Sequence, residues 1–550
     1  MDYTFKFSLN IKHKQRLYRK FLRKRGKRGN FPGENRTALY NLSTFLSLLT
    51  CALGEDLLTC LSSGGLRNYT TYHKAPYDEL LNFSLNNLRY GGSNIRKPAA
   101  IILPGNKDQL VIAVRCCNQG SWTIRLRSGG HSFEAISSYA DMRFVIIDLM
   151  NLNRVTVDLE SETAWVEGGA TLGEIYYAIG ASSKIHAFPA GMSPTVGCGG
   201  HFSGGGNGLL ARKYGLSADN VVDAILVDAG ERVLDRETMG EDVFWAIRGG
   251  GGGGWGAVYA WKIRLVKVPE NVTAFLINRR GTRNLMAKLI YEWQLVAPML
   301  EDEFNININV LGSREITLIF RGLYLGPASK ALDSITRVFP RLGVTEGEFK
   351  EMSWVESVVY LWGMKEVQTV EDMKNRSTSQ KAFYKAKFDY VRDLIPMAGI
   401  EGALKMMKKD SGGLLAFVPY GGKMSRIASD AIAFPHREGN MYGILYYMAW
   451  NEGDDRRRTK HMDWIRGLYE YMGPFVSKDP RAVYVNCLDL DLGVMEWMEG
   501  RDDAVEIARS WGEKYFVGNY DRLVRIKTLI DPNNVFRHPQ SVPPLSLPSL

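Results

Sequence analysis

The sequence predicts an α+β chain made of two unlike parts and a short return segment, and three observations carry that prediction. From about residue 98, short β-prone runs alternate with helical segments as far as about residue 270. Two glycine-rich loops, at 128–132 and 194–208, interrupt that stretch. After Pro269 the pattern changes to alternating strands in 274–345 and 411–451, with a helix-rich stretch between them. The expected divisions are a basic extension with a signal-like segment (1–54), a first domain (55–270, core about 95–270), an inserted second domain (271–505) and a C-terminal return to the first (506–545).

The N-terminal extension explains the net charge of +10. Eleven of the 69 basic residues and one of the 59 acidic residues fall in positions 1–30, so the other 520 residues carry 58 of each sign. With no basic footprint on the body, nucleic acid is set aside as a partner. Residues 39–54 are mostly apolar, too short for a bilayer span and suited to a secretory core. A signal anchor, a transit peptide or a mispredicted start are the alternatives for so long a basic region. Six Asn-X-Ser/Thr sites (Asn35, Asn41, Asn68, Asn82, Asn271, Asn375) also favour secretory entry. The six cysteines show no metal spacing, so no metal site is expected.

In the first part, Ala99–Leu103, Thr123–Leu126, Phe144–Asp148, Val155–Val157, Ala164–Glu167 and Val221–Val227 read as strands, and Leu110–Asn118 has helical spacing. Thr171 is placed as the N-cap of a further helix. The run Gly249–Gly254 has the composition of a linker, but strands flank it, so it reads as a tight internal loop packed against a ligand. The tail from Trp511 reads as a helix plus a closing loop.

The two loops carry the chemistry. In Arg125-Leu126-Arg127-Ser128-Gly129-Gly130-His131-Ser132 a β-prone run enters a two-glycine turn, where backbone N–H groups can close on an anion. Two arginines beside it suit a pyrophosphate, and His131 is a nucleophile aimed beyond the turn. The second loop, from Pro194 to Gly208, makes a dinucleotide held from both sides the natural reading.

Here the residues become recognisable. RLRSGGHSFE (125–134), FPAGMSPTVGCGGHFSGGGNG (188–208), LSADNVVDA (216–224), FWAIRGGGGG (244–253), PYGGKMS (419–425), FPHREGNMYG (434–443), YVNCLDLDLG (484–493) and WGEKYF (511–516) occur in the order of one family. The chain resembles the plant berberine-bridge-enzyme-like flavoproteins, of the vanillyl-alcohol-oxidase type of FAD-linked oxidases, over roughly residues 55–545. The resemblance implies a two-part FAD-binding domain, a substrate domain whose antiparallel sheet roofs the flavin, and a Cys60–Cys116 disulfide. It also implies hydride transfer from substrate to flavin, with oxygen reduced to hydrogen peroxide.

By the same resemblance FAD is expected to be covalently bound through His131 only, because Ser193 stands where relatives carry a second, cysteine tether. Cys198 is read as packing rather than a replacement tether. The expected cofactor-binding residues are Arg127, Ser128, Gly129, Gly130, His131, Ser132, Val196, Gly197, Gly199, Gly200, His201, Gly204, Gly205, Asn220 and Asn486. Val196 takes the oxygen-gate position, and His201 the position beside the flavin's pyrimidine edge.

The positions that carry the base in relatives are altered. Phe133 and Asn207 replace tyrosines, Gly443 and Leu445 replace polar strand residues, and Cys487 and Leu488 replace a tyrosine and an arginine. Three accounts stay open at this point: an amine substrate that needs no strong base, a substitute base among Tyr446, Tyr484 and Cys487, or FAD binding without turnover. With His201, those three complete the expected catalytic set. The expected activity is oxidation of a specialised metabolite, with an alkaloid-like amine favoured over an aromatic or allylic alcohol. A small-molecule substrate and oxygen are the expected partners of a monomer in the secretory pathway with no stable membrane span.

Overall fold

The computed structural model describes residues 57–312, 315–363, 365–378, 381–408, 412–496 and 503–545. The basic extension, the signal-like segment and the Asn35 and Asn41 sites lie outside the described residues. The molecule is α+β, as expected.

The first sheet holds β1 (Tyr69–Thr71), β2 (Ala100–Ile102), β3 (Thr123–Arg127) and β4 (Phe144–Asp148) in the order β1-β2-β4-β3. Strand β4 runs parallel to both β2 and β3, and all five of its residues are buried. That is why its first four residues read as an unbroken apolar run. The helix Lys107–Gln119 packs beside this sheet, capped by Asn106 and tied through Cys116 to Cys60 by the expected disulfide.

A second, antiparallel sheet holds β5 (Val155–Asp158), β6 (Thr163–Glu167), β8 (Val221–Val227), β9 (Val233–Leu234) and β10 (Ala257–Arg264), in the order β5-β6-β10-β8-β9. Between them β7 (His186–Ala187) pairs with β11 (Val266–Lys267). Thr171 caps the helix Leu172–Ser182 in a reciprocal capping box with Glu174, which also pairs with Arg376 at 2.7 Å.

The third sheet is antiparallel and seven-stranded: β12 (Val272–Arg280), β13 (Phe304–Leu311), β14 (Thr317–Tyr324), β15 (Phe349–Met352), β16 (Phe383–Val391), β17 (Gly413–Pro419) and β18 (Tyr442–Trp450). Their order is β15-β12-β14-β13-β17-β18-β16. Alternate residues of β13, β17 and β18 enter a core with Trp293, Ile400, Ile465 and Leu468 from the helices Arg283–Val296, Met397–Met407 and Arg458–Met472. The opposite face is left to roof a cavity.

Two elements differ from the sequence reading. Strand β16 falls inside the stretch read as helix-rich, because Lys385, Lys387 and Asp389 give it a charged, surface-like text although all three are buried. The tail holds two helices, Ala504–Phe516 and Tyr520–Ile530, before its closing segment. Buried Lys527 fixes that segment by donating to Asp531 and to the carbonyls of Gly254 and Phe536. Asn68, Asn82, Asn271 and Asn375 are all exposed.

Candidate active site

The two glycine-rich loops meet backbone to backbone. A methyl group on Gly129 would lie 2.2 Å from the Gly197 nitrogen and 2.8 Å from the Thr195 carbonyl, and one on Gly197 would lie 2.2 Å from the Gly129 nitrogen. Gly130, at φ +71°, passes against Ser84, where a methyl group would lie 2.0 Å from the carbonyl oxygen. Only glycine permits this approach. Together the loops wall a cavity of about 700 Å³ that also takes in Gly250–Gly254, so the glycine run is an internal loop and no linker.

Of the expected cofactor residues, Ser128, Gly129, Gly130, His131, Ser132, Val196, Gly197, Gly199, Gly200, His201 and Asn486 line this cavity. Four do not, and each has a local reason. Arg127 is fully buried and spent on Asp148, at 2.7 Å, and on the carbonyls of Leu80 and Leu81. Gly204 accommodates the Asn486 amide, Gly205 packs under Leu216 and Phe434, and Asn220 donates to the carbonyls of Tyr214 and Leu216. Arg125 does reach the wall, but its guanidinium is held by the carbonyls of Tyr139 and Arg537. Cys198 points into the core and bonds the Glu167 carbonyl, in keeping with packing.

His131 Nε2 lies 2.9 Å from Thr195 Oγ1. His201 Nε2 accepts the Gly191 N–H at 3.0 Å, while the His201 carbonyl accepts from Asn486. Burial lowers both imidazoles to about 4, so both are neutral at physiological pH.

The sequence reading missed the C-terminal segment 537–542, which crosses the cavity wall. Arg537 Nε and Ser137 Oγ are buried on that wall with no partner. No aspartate, glutamate or lysine lines the cavity among the described residues. Nothing in the text of the tail marks these positions, since their chain distance from the loops carries no pattern.

The roof is aromatic and apolar. Phe133 meets Tyr384 and Tyr447 edge-on, at 6.0 and 6.3 Å, with Leu445 and Leu414 beside them. Strand alternation removes Tyr446 from the expected catalytic set: it projects from the other face of β18, against Tyr469, and does not line the cavity. Tyr484 and Cys487 do line it. The Tyr484 hydroxyl accepts from the Gly206 N–H and from Asn486 Nδ2, both at 2.9 Å. Burial pushes its pKa up, and does the same to the Cys487 thiol, so neither is a ready anion.

The vacancy at Gly443 is filled. A methyl group there would lie 2.3 Å from Phe388 Cζ, and that ring packs against Tyr484 and Tyr390. Gly443→Glu alone is therefore expected to destabilise the fold by about 1–3 kcal/mol without adding base chemistry. A Phe388→Ala companion is expected to recover part of the loss, and denaturant unfolding of both variants checks this.

One edge of the site is held by buried charge. Lys385 Nζ on β16 pairs with Glu134, three residues beyond His131, and with Asp489 at 2.5 Å. Lys387 Nζ binds Asp489 at 2.6 Å and Asp491 at 2.9 Å. Burial alone would lower the Lys385 pKa, but Glu134, Asp489 and Asp491 together hold it above the usual amine value. The network ties the His131 loop, the 484–492 segment and the roof sheet to one another.

These features suit FAD. A glycine cradle that any Cβ would fill, orphaned Arg537 and Ser137 donors, and a wall free of carboxylates all fit a dinucleotide pyrophosphate. The FAD binding domain family matches residues 98–236, and the berberine and berberine-like family matches residues 483–543. Reticuline oxidase of Eschscholzia californica is 50% identical over 525 residues, covering 93% of this chain and 96% of that one. Berberine bridge enzyme-like C-1 of Nicotiana tabacum is also 50% identical, covering 89% and 93%. The structure of berberine bridge enzyme from Eschscholzia californica superposes with a TM-score of 0.88 at 49% identity, over 90% of this chain and all of that one.

Proposed function

As the chain belongs to the berberine bridge enzyme-like family of FAD-linked oxidoreductases, we propose that it oxidises a tertiary or secondary amine of alkaloid type, with oxygen as the final acceptor and hydrogen peroxide as product. When bound, FAD supplies the hydride acceptor. His131 holds it covalently and alone, since Ser193 cannot form a thioether. Asn486, the glycine cradle and the orphaned Arg537 and Ser137 donors would hold the rest, and Val196 leaves room for oxygen.

The observation that carries the reading is the absence of any carboxylate or lysine on the described cavity wall. An alcohol must shed its hydroxyl proton as hydride departs, and a positioned base contributes about 10²–10⁴-fold to such a step. An amine with a free lone pair becomes an iminium ion without one. Phe133, Tyr384 and Tyr447 offer aromatic faces to such a substrate and to its developing cation. The two hydrogen bonds on the Tyr484 oxygen orient it, while Asn486 couples it to the His201 carbonyl. The name of the Eschscholzia relative, reticuline oxidase, supports the same substrate class.

Two experiments test this. Acid-precipitated protein is expected to retain flavin mass on the peptide containing His131 and none on the peptide containing Ser193; release of all the flavin removes the single-tether reading. Anaerobic mixing with N-methyl tetrahydroisoquinolines is expected to bleach the flavin, with recovery in air, while cinnamyl alcohols leave it oxidised. Bleaching by the alcohols alone would overturn the amine assignment. The protein is proposed to be a monomer that enters the secretory pathway, in keeping with the Cys60–Cys116 disulfide and four exposed glycosylation sequons.

A further inference from the structure

We propose that the roof sheet carries a second binding subsite, built on Arg321 with Asn307 and Asn309, that takes a carboxylate at the far end of the substrate. The inference rests on the reading of the cavity as the substrate site. It starts from strand register. Leu445 pairs with Ala416, Ala416 with Asn309 and Asn309 with Ile319, while Asn307 lies opposite Arg321. Residues paired across antiparallel strands share a face, as do alternate residues along one. Asn305, Asn307, Asn309 and Arg321 are thus on the face that Leu414, Leu445 and Tyr447 present to the cavity.

That face is not sealed. Ile308, Val310, Leu318 and Phe320, on the other side, are fully buried, whereas Ala416, Asn309, Asn307, Ile319, Arg321 and Leu276 are only partly buried and Asn278 is exposed. A row of partly buried residues therefore runs from the aromatic roof across β17, β13 and β14 to exposed Asn278 on β12.

Arg321 is the cation in this row. Its Nε is buried without a hydrogen-bond partner, and so are the side-chain oxygens of Asn307 and of Asn305, which is 2% exposed. Burial lowers the Arg321 pKa, and no acidic neighbour raises it again. Among the described residues no carboxylate pairs with Arg321, and a partly buried guanidinium without an anion is costly to keep. A carboxylate supplies what it lacks, in a planar geometry that matches its fork. The amides of Asn307 and Asn309 carry N–H donors as well as oxygens, and an amide turned end for end offers them to the same anion. Arg321 lies three interstrand steps and two residues along β14 from Leu445, about 16 Å. The substrate is thus elongated, with its amine at the aromatic roof and its carboxylate at the other end.

The test uses full-length holoprotein and calorimetry with 8-phenyloctanoate and its methyl ester. The acid is expected to bind roughly tenfold to a hundredfold tighter than the ester, the range for a hydrogen bond to a charged group. Arg321→Gln is expected to erase that preference while leaving ester binding unchanged, and Arg321→Lys to keep part of it. Equal binding of acid and ester, no binding of either, or a preference that survives Arg321→Gln would each overturn the subsite. Because the readout needs no turnover, failure of amines to bleach the flavin would leave this result standing, and the reverse holds as well.

Discussion

Replacing Gly129 with alanine is expected to abolish flavin incorporation and to destabilise the protein by about 3 kcal/mol, the upper part of the range for overpacking. The new methyl group meets backbone atoms on all sides: the Gly197 nitrogen and Cα and the Thr195 carbonyl. No rotamer change relieves such a clash, so the two loops must separate and the cradle opens. Gly200 is the matched control. It lines the same cavity, yet nothing lies within 4 Å of the position its Cβ would take. Gly200→Ala is expected to fold with near-native stability. Flavin absorbance per mole of protein and denaturant midpoints read both effects, and a Gly129→Ala protein with full flavin content would show that the loops do not form the cradle.

Lys385→Met is expected to cost about 3–5 kcal/mol, the range for removing one partner of a buried ion pair, although Asp489 keeps Lys387 and Glu134 keeps Tyr90 and Arg89. It leaves Glu134 and Asp489 without the ammonium that joins them. Because Glu134 sits three residues from His131, covalent flavin attachment is expected to fall with stability. The pair should be strongly non-additive: Lys385→Met with Glu134→Gln is expected to be less destabilised than the two single losses added together. A Lys385→Met protein within about 0.5 kcal/mol of the parent, the size of an ordinary surface change, would mean the network contributes nothing.

Much of this was legible because the signals were local. Phe144–Asp148 and Val221–Val227 are legible to the residue, since short runs rich in Val, Ile and Leu and bounded by turns admit few other structures. The cradle was legible because adjacent glycines, an arginine pair and His131 fall within eight residues. What escaped depended on parity, on distant partners or on neutralised charge. Tyr446 and Tyr447 differ by one position and so face opposite sides of β18; no sequence pattern says which side holds the cavity. Arg127 resembles a phosphate ligand until its partner Asp148, 21 residues on, is seen. Arg537 and Ser137 come together only through the closing of the tail. Strand β16 was hidden because buried ion pairs make a core strand read like a surface. The altered base positions were visible in the sequence, but the ring of Phe388 filling the space at Gly443 was not.

The central claim, amine oxidation without a protein base, is tested most directly by the pH dependence of kcat/KM for two tertiary amines whose pKa values differ by about two units. On the cavity wall His131 and His201 are lowered to about 4, His538 to about 3 and Arg125 to about 10, Arg537 is lowered by burial, Tyr447 is raised to about 12, and Tyr384, Tyr484 and Cys487 are raised as well. Asp389, raised to about 6 by burial, lies on the far face of the roof beside Tyr446. Among the described wall residues, none is therefore expected to change its charge between about pH 5 and pH 9. A protonated amine has no lone pair to release, so kcat/KM should rise with pH and level off at the pKa of the free amine. The inflection should move by about two units between the two substrates. An inflection fixed at one pH for both would reveal a titrating protein base and contradict the account.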